Sequence, residues 1–110
     1  MAPTQSIPVF RIDKFAVPAD ALPAFLEKML HVQRAVRVLP GCIRDLVLTQ
    51  TGGAGKFNVV HLVEWVNTDA VTAAQAVMHK QFAEEGFDPA AFFVRELGAQ
   101  ADLGQYVPAE

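Results

Sequence analysis

Residues 56–86, KFNVVHLVEWVNTDAVTAAQAVMHKQFAEEG, predict one strand that runs directly into one amphipathic helix. Residues 57–66 are rich in β-branched and aromatic side chains, which favour a strand. After Val66 the hydrophobic period changes from two residues to about 3.6, which is typical of a helix. Asn67 or Thr68 can cap that helix, and Asp69 suits its positive N-terminal end.

The side chains of this strand and helix predict a shared site. Strand residues alternate between two faces, and one face carries Phe57, Val59, His61, Val63 and Trp65. On the helix, one stripe of side chains is formed by Val71, Gln75, Met78 and Phe82, with Ala74 beside it. His79 lies at the edge of this stripe. We therefore expect His61, Trp65 and His79 to converge on one pocket.

The composition indicates a single folded domain. The chain has 110 residues, of which 52% are hydrophobic and 19% charged, which suits a modest core and disfavours disorder. A net charge of −3 without a basic run disfavours nucleic-acid binding. No apolar stretch reaches the ~20 residues of a membrane helix, and MAPTQSIPVF lacks the features of a signal peptide. With one cysteine, we expect a cytoplasmic protein.

The other segments extend the pattern to β-α-β-β-α-(α)-β. Residues 1–8 are expected to form a flexible lead-in to one domain at 9–107. We predict strands at 9–17, 42–50, 57–66 and 101–107, and helices at 20–38 (capped by Asp20), 68–86 and 88–97. This order matches an α+β, ferredoxin-like βαββαβ sandwich, a four-stranded antiparallel sheet with helices on one face. Because both sheet faces are apolar, we expect a homodimer formed by two sheets face to face.

Several familiar motifs are missing from the sequence. TGGAGK (51–56) fails as a phosphate-binding loop, because it lacks the first glycine and the final Ser or Thr. The three histidines show no metal-ligand spacing, and we expect Cys42 to be a buried, inert residue. Glu64 faces away from His61 and is expected to pair with a basic residue, Arg11, Lys14 or Arg44.

Each candidate site residue has a structural and a functional interpretation. His61 is either a hydrogen-bonded core histidine or a pocket group that can bind a phenol or act as a base near neutral pH. Trp65 is either core or the wall of an aromatic-binding pocket. His79 is either solvated or part of the same pocket, and His31 is expected to be a cation at the helix end or a solvent-exposed residue.

The pattern resembles the antibiotic biosynthesis monooxygenase family of small dimeric α+β barrels. Four stretches carry the resemblance: FRIDKFAVP (10–18), LPGC (39–42), FNVVHLVEWVNTDAV (57–71) and HKQFAEEGFDPAAF (79–92). The resemblance implies a homodimer whose sheets close a barrel, with a pocket in each subunit between sheet and helices. It also implies oxygenation of phenolic polyketides or quinols without metal or flavin, or, in a second branch, haem degradation.

Two residues match positions in the family's motifs. Trp65 corresponds to the aromatic residue of an E-x-aromatic motif, and His79 to a histidine late in the second helix. Ala74 and Gln75 stand where the haem-degrading branch has its haem-ligating histidine, and the first strand, VFRIDKFAV, lacks that branch's asparagine. We therefore expect no specific haem ligation.

The resemblance implies a cofactor-independent monooxygenase that acts on a small phenolic, quinol or polycyclic aromatic substrate. No metal or cofactor is expected. The same scaffold also fits a non-enzymatic dimeric module for ligand binding or stress response, or an isomerase or lyase. The residues expected at the site are His61 or His79 as base or hydrogen-bond donor, and Trp65, Phe25, Met29 and Phe82 as apolar walls.

Overall fold

The computed structural model describes residues 7–110, so most of the expected lead-in, residues 1–6, lies outside the described residues. The predicted α+β, ferredoxin-like order is confirmed. The elements are β1 (Val9–Ala16), α1 (Leu22–Val36), β2 (Cys42–Thr49), β3 (Val59–Trp65), α2 (Thr68–Glu85), a π-helix (Ala90–Glu96) and β4 (Gln100–Tyr106). Within residues 7–110, no helix is long and apolar enough to span a membrane.

The four strands form one antiparallel sheet in the order β2-β3-β1-β4. Strand β3 therefore lies beside both β1 and β2, and its alternate residues are buried. Two apolar clusters fill the space between this inner face and the helices. One surrounds Trp65 and includes Val71 and Met78 of α2, and the other surrounds Phe25 of α1.

Gly41 explains the LPGC stretch between α1 and β2. Its φ of +86° is a backbone conformation that residues with a Cβ atom rarely adopt. A Cβ atom at this position would lie 2.6 Å from the Cβ of Ala70 on α2. The Gly41 carbonyl also accepts a 2.9 Å hydrogen bond from the N–H of Val66. The glycine thus lets the end of α1, the start of β2 and the start of α2 pack closely.

The first helix begins later than predicted. A 3₁₀ turn, Ala19–Ala21, comes first, and α1 starts at Leu22 with Ala21 at its N-cap position. The prediction that Asp20 caps this helix is wrong, because Asp20 lies within the 3₁₀ turn, before the N-cap position of α1. Pro23 lies in the first turn of α1, as predicted, where a missing N–H costs nothing.

The predicted helix at 88–97 is a π-helix, which is wider than the ordinary helix we expected. The N–H of Leu97 donates to the carbonyl of Phe92, five residues back, at 3.0 Å. The aromatic ring of Phe93 is thereby placed 4.6 Å from that of Phe25, measured between centroids. Single π turns are frequent at functional sites, and this one forms one wall of a cavity between the sheet and the helices.

Candidate functional site

An apolar cavity of about 440 Å³ lies between the inner face of the sheet and the helices. Its volume falls in the range of ~300–1,000 Å³ that is usual for ligand sites. Met29 of α1 and Phe82 of α2 contribute to its walls, as does Phe93 of the π-helix. The polar side chains on its lining are His61, Asp13 and Asp88. We call this space the main cavity.

A second cavity of about 200 Å³, the side cavity, adjoins the first. Both cavities are lined by Asp13, Val32, His61 and Phe82. Trp65 lines the side cavity together with Arg11. The two spaces therefore meet at a polar centre that contains Asp13 and His61.

His61 is held by a buried carboxylate. Its Nε2 atom lies 2.7 Å from Oδ1 of Asp45, and the two side chains are 9% and 1% exposed. A carboxylate only accepts hydrogen bonds, so Nε2 carries a hydrogen and donates it. In the neutral ring, Nδ1 is then the nitrogen with a free lone pair. This arrangement orients the ring and stabilises the imidazolium that forms when Nδ1 takes a proton.

Asp13 lies on the other side of His61. The two residues are directly opposite each other in the β1–β3 pairing, and both face the helices. Nη2 of Arg11 donates a 3.0 Å hydrogen bond to Oδ1 of Asp13. Burial raises the pKa of the Asp13 carboxyl above its usual range, although Arg11, His61 and the N–H of Gly104 act in the opposite direction. Asp13 is thus a stronger base than an exposed aspartate.

The structure brings together four of the predicted site residues. His61, Met29 and Phe82 line the main cavity, and Trp65 shares the side cavity with His61. Phe25 is fully buried behind the wall, against Phe15 and Phe93. It supports the wall from behind, and the expectation that it lines the cavity is wrong.

His79 does not join the other site residues. Helix α2 buries Val71, Ala74 and Met78, and the next residue is turned away by about 100°. His79 is consequently exposed and contributes to neither cavity. The expected convergence of His79 with His61 and Trp65 is therefore wrong.

Residues 8–85 match the antibiotic biosynthesis monooxygenase family. The chain belongs to the antibiotic biosynthesis monooxygenase family. No match was found among curated proteins. The resemblance noted from the sequence is thus confirmed over most of the chain.

Three solved structures show how widely this fold is shared. A candidate monooxygenase from Shewanella loihica PV-4 is 19% identical, with 96% of this chain and 97% of that chain covered and a TM-score of 0.72. A mutant form of SnoaB, a cofactor-independent oxygenase from Streptomyces nogalater, is 20% identical, with 96% of both chains covered and a TM-score of 0.67. The haem-degrading protein Rv3592 from Mycobacterium tuberculosis is 20% identical, with 96% and 94% covered and a TM-score of 0.61. At these identities the likeness shows the fold alone.

The two positions at which the resemblance places a haem-ligating histidine are occupied by Ala74 and Gln75. Ala74 and Gln75 line the side cavity, and neither side chain is a usual ligand of haem iron. His61 uses its Nε2 atom to bind Asp45. Within residues 7–110, no group of three or more His, Cys, Asp or Glu side chains is placed to hold a metal ion.

The sequence interpretation missed Asp13, Asp45 and Arg11. Alternation along β1 was the available signal, because it places Arg11 and Asp13 on the same face as the buried Phe15. On β2 the signal is weaker, because an irregularity in the β2–β3 pairing shifts the register between Cys42 and Arg44.

The remaining polar residues lie outside the two cavities. Glu64 pairs with Arg44 at 3.1 Å on the outer sheet face, as one of the predicted partners. His31 is exposed, as predicted, and its Nε2 atom lies 4.0 Å from Oε1 of Glu85. Cys42 is half-buried, and burial, with the charge of Asp45, raises the pKa of its thiol. The thiol therefore stays protonated and is a poor nucleophile.

Proposed function

We propose that the chain is a cofactor-independent monooxygenase that acts on a small phenolic, quinol or polycyclic aromatic compound. The main support is His61, which lines an apolar cavity and is held by a 2.7 Å bond to the buried side chain of Asp45. An oriented imidazole beside apolar walls suits the removal of a phenolic proton in a site that excludes water.

His61 has a defined role in the proposed reaction. Its Nδ1 atom takes the proton of the phenol, and the Asp45 carboxylate stabilises the resulting imidazolium. The phenolate then lies in an apolar cavity and transfers an electron to O2. The two radicals combine into a peroxide at carbon, and the terminal oxygen of this peroxide takes the proton back from His61 Nδ1. Loss of water gives the quinone, so the substrate loses two hydrogens and gains one oxygen, and the second oxygen atom leaves in the water.

Oxygen uptake with hydroxylated naphthalenes, anthrones and quinols tests this proposal. His61→Ala should lower kcat/KM by roughly 10²–10⁴, which is the usual contribution of a general base. His79→Ala is the matched comparison, because that histidine is exposed. We expect its uptake to equal that of the wild type. Equal rates for the wild type and both variants on a substrate that turns over would show that neither histidine is the base.

The alternative functions give different results in the same assay. A non-enzymatic binding module would bind members of the panel without consuming oxygen. An isomerase or lyase would convert its substrate under anaerobic conditions as well as in air. The absence of oxygen uptake across the whole panel, with tight binding of one of its members, would therefore favour the binding module over the oxygenase.

We also propose that the protein acts as a homodimer with one substrate cavity in each subunit. The support is the outer face of the sheet, which carries Leu46, Leu48 and Tyr106 as exposed apolar side chains. The helices α1 and α2 pack on the opposite, inner face. A second copy of the chain is the proposed cover for this outer face.

A further inference from the structure

We propose that a third cavity, between the exposed side of α1 and the π-helix, binds a nucleoside 5′-monophosphate. Its volume is about 360 Å³, and we call it the outer cavity. The residues that line it are Ala24, Glu27, Lys28, His31, Arg34 and Phe92. These six residues are distinct from those that line the main and side cavities. The proposal therefore goes beyond the oxygenase and does not depend on it.

The helical repeat of α1 brings the polar side chains of the outer cavity together. Residues i, i+4 and i+7 of a helix lie along one face, and Glu27, His31 and Arg34 have this spacing. Lys28, three residues before His31, lies next to the same face. The buried face of α1 carries Phe25 instead. The polar groups thus belong to the outside of the helix and take no part in the core.

Two cations of the outer cavity have no carboxylate partner. On the outer sheet face, Arg44 pairs with Glu64. In contrast, Lys28 and Arg34 form no ion pair within residues 7–110. The Nζ atom of Lys28 lies 4.2 Å from the ring centroid of Phe87, which holds the ammonium group in place. Two positive charges that the protein does not neutralise attract an anion to this cavity.

The hydrogen-bond donors of the lining suit a phosphate group. Lys28 carries three N–H donors, and the planar guanidinium of Arg34 can bind two phosphate oxygens at once. His31 adds a ring N–H, and its Nε2 atom lies 4.0 Å from Oε1 of Glu85, too far for a hydrogen bond. A phosphate group offers three acceptor oxygens and a charge close to −2, which matches the two fixed cations.

The other side chains of the lining define the rest of the ligand. Glu27 accepts hydrogen bonds and repels a second anion, so the ligand must present hydroxyl groups there, as a ribose does. The ring of Phe92 is half-buried and packs edge-on against Phe93, with 5.4 Å between the centroids. Its accessible side lines the outer cavity, and such a ring stacks on flat bases. Phosphate, hydroxyl groups and a flat base together describe a nucleoside 5′-monophosphate.

Isothermal titration calorimetry with AMP tests the inference on the full-length chain. We expect AMP to bind at one site per chain and to bind more weakly as the salt concentration rises. Adenosine lacks the phosphate and ribose 5-phosphate lacks the base, so each should bind at least roughly tenfold more weakly than AMP. No saturable binding of AMP up to about 1 mM would overturn the proposal. Binding of adenosine as tight as that of AMP would overturn the role of the cations.

A pair of arginine variants separates the site from the general charge of the protein. Arg34→Gln should weaken AMP binding roughly 10–100-fold, because the phosphate loses charge-assisted hydrogen bonds. Arg34→Lys keeps the charge without the planar fork and should give an intermediate affinity. Arg37→Gln is the matched control, because Arg37 is exposed at the end of α1 and lies outside the lining of the outer cavity. Equal losses for Arg34→Gln and Arg37→Gln, or no loss for Arg34→Gln, would overturn the site.

Two further variants test the assignment of the hydroxyl groups and the base. Glu27→Ala should weaken the binding of AMP and leave that of 2′,3′-dideoxy-AMP, which lacks both hydroxyl groups, unchanged. Phe92→Leu should weaken the binding of AMP and leave that of ribose 5-phosphate unchanged. A near-ultraviolet circular dichroism spectrum like that of the wild type shows that each variant is folded. If a folded variant binds AMP like the wild type, the nucleotide assignment is overturned.

Discussion

Asp45 has one carboxylate oxygen bonded to His61 and a second, Oδ2, that has no hydrogen-bond partner among residues 7–110. Buried polar atoms are usually paired, and exceptions are often explained by function. Here the unpaired oxygen leaves the negative charge of Asp45 to be balanced chiefly by His61. The imidazolium form of His61 therefore gains more from this contact than the neutral form does.

Replacing Asp45 by asparagine removes the charge of this side chain and keeps nearly the same shape. The amide in Asp45→Asn can accept from Nε2 as before or donate to it, and the second arrangement moves the ring hydrogen to Nδ1. Either way the imidazolium loses its stabilising charge. We expect oxygen uptake to fall roughly 10²–10⁴-fold. Asp69→Asn, an exposed residue in the first turn of α2, is the control and should leave the rate unchanged. An unaltered kcat in Asp45→Asn would rule out this role.

Helix α2 depends on its ends as well as on its buried stripe. The Oδ1 atom of Asn67 accepts a 2.9 Å hydrogen bond from the N–H of Ala70, and Gly86 ends the helix in the left-handed conformation. The sequence left Asn67 and Thr68 as alternative caps, and the structure selects Asn67. Helix α2 also carries Phe82, which lines both cavities.

Asn67→Ala should lower the free energy of unfolding by about 1 kcal/mol, since the first turn of α2 loses its side-chain acceptor. Thr68→Ala, one residue further on and exposed, is the matched control and should change it by less than ~0.5 kcal/mol. Urea denaturation followed by circular dichroism measures both. A larger loss for Thr68→Ala than for Asn67→Ala would contradict the assignment of the cap.

The elements differ in how far sequence alone could define them. The 56–86 stretch predicted β3 and α2 well, because a change of period and a cap are local signals. The π-helix could not be predicted from local signals, and its Phe93 packs on Phe25 of α1, a residue far away in the sequence. The same limit applies to the site. Trp65 and His61 stand out in the sequence, whereas the bond between Asp45 and His61 joins residues 16 positions apart.

At the scale of the whole molecule, the two faces of the sheet differ in what covers them. The inner face is covered by helices and contains the site. The outer face carries an ion pair between Arg44 and Glu64, beside apolar side chains from the paired strands. Leu46 lies opposite Leu62 near the middle of this face and remains 37% exposed. An apolar sheet face of this kind favours association with another chain.

We expect the protein to form a homodimer through this outer face. Light scattering should give twice the chain mass of 12.0 kDa at micromolar concentration. An obligate interface of this type buries upward of ~2,000 Å².

Leu46→Arg would place an unpaired charge in this interface, at a cost of ~3–5 kcal/mol, and should yield monomer. Val77→Arg is the matched control, because Val77 is 47% exposed on α2, and it should stay dimeric. A 12.0 kDa particle for the wild type would refute the dimer. Dissociation by Val77→Arg and not by Leu46→Arg would move the interface to the helices.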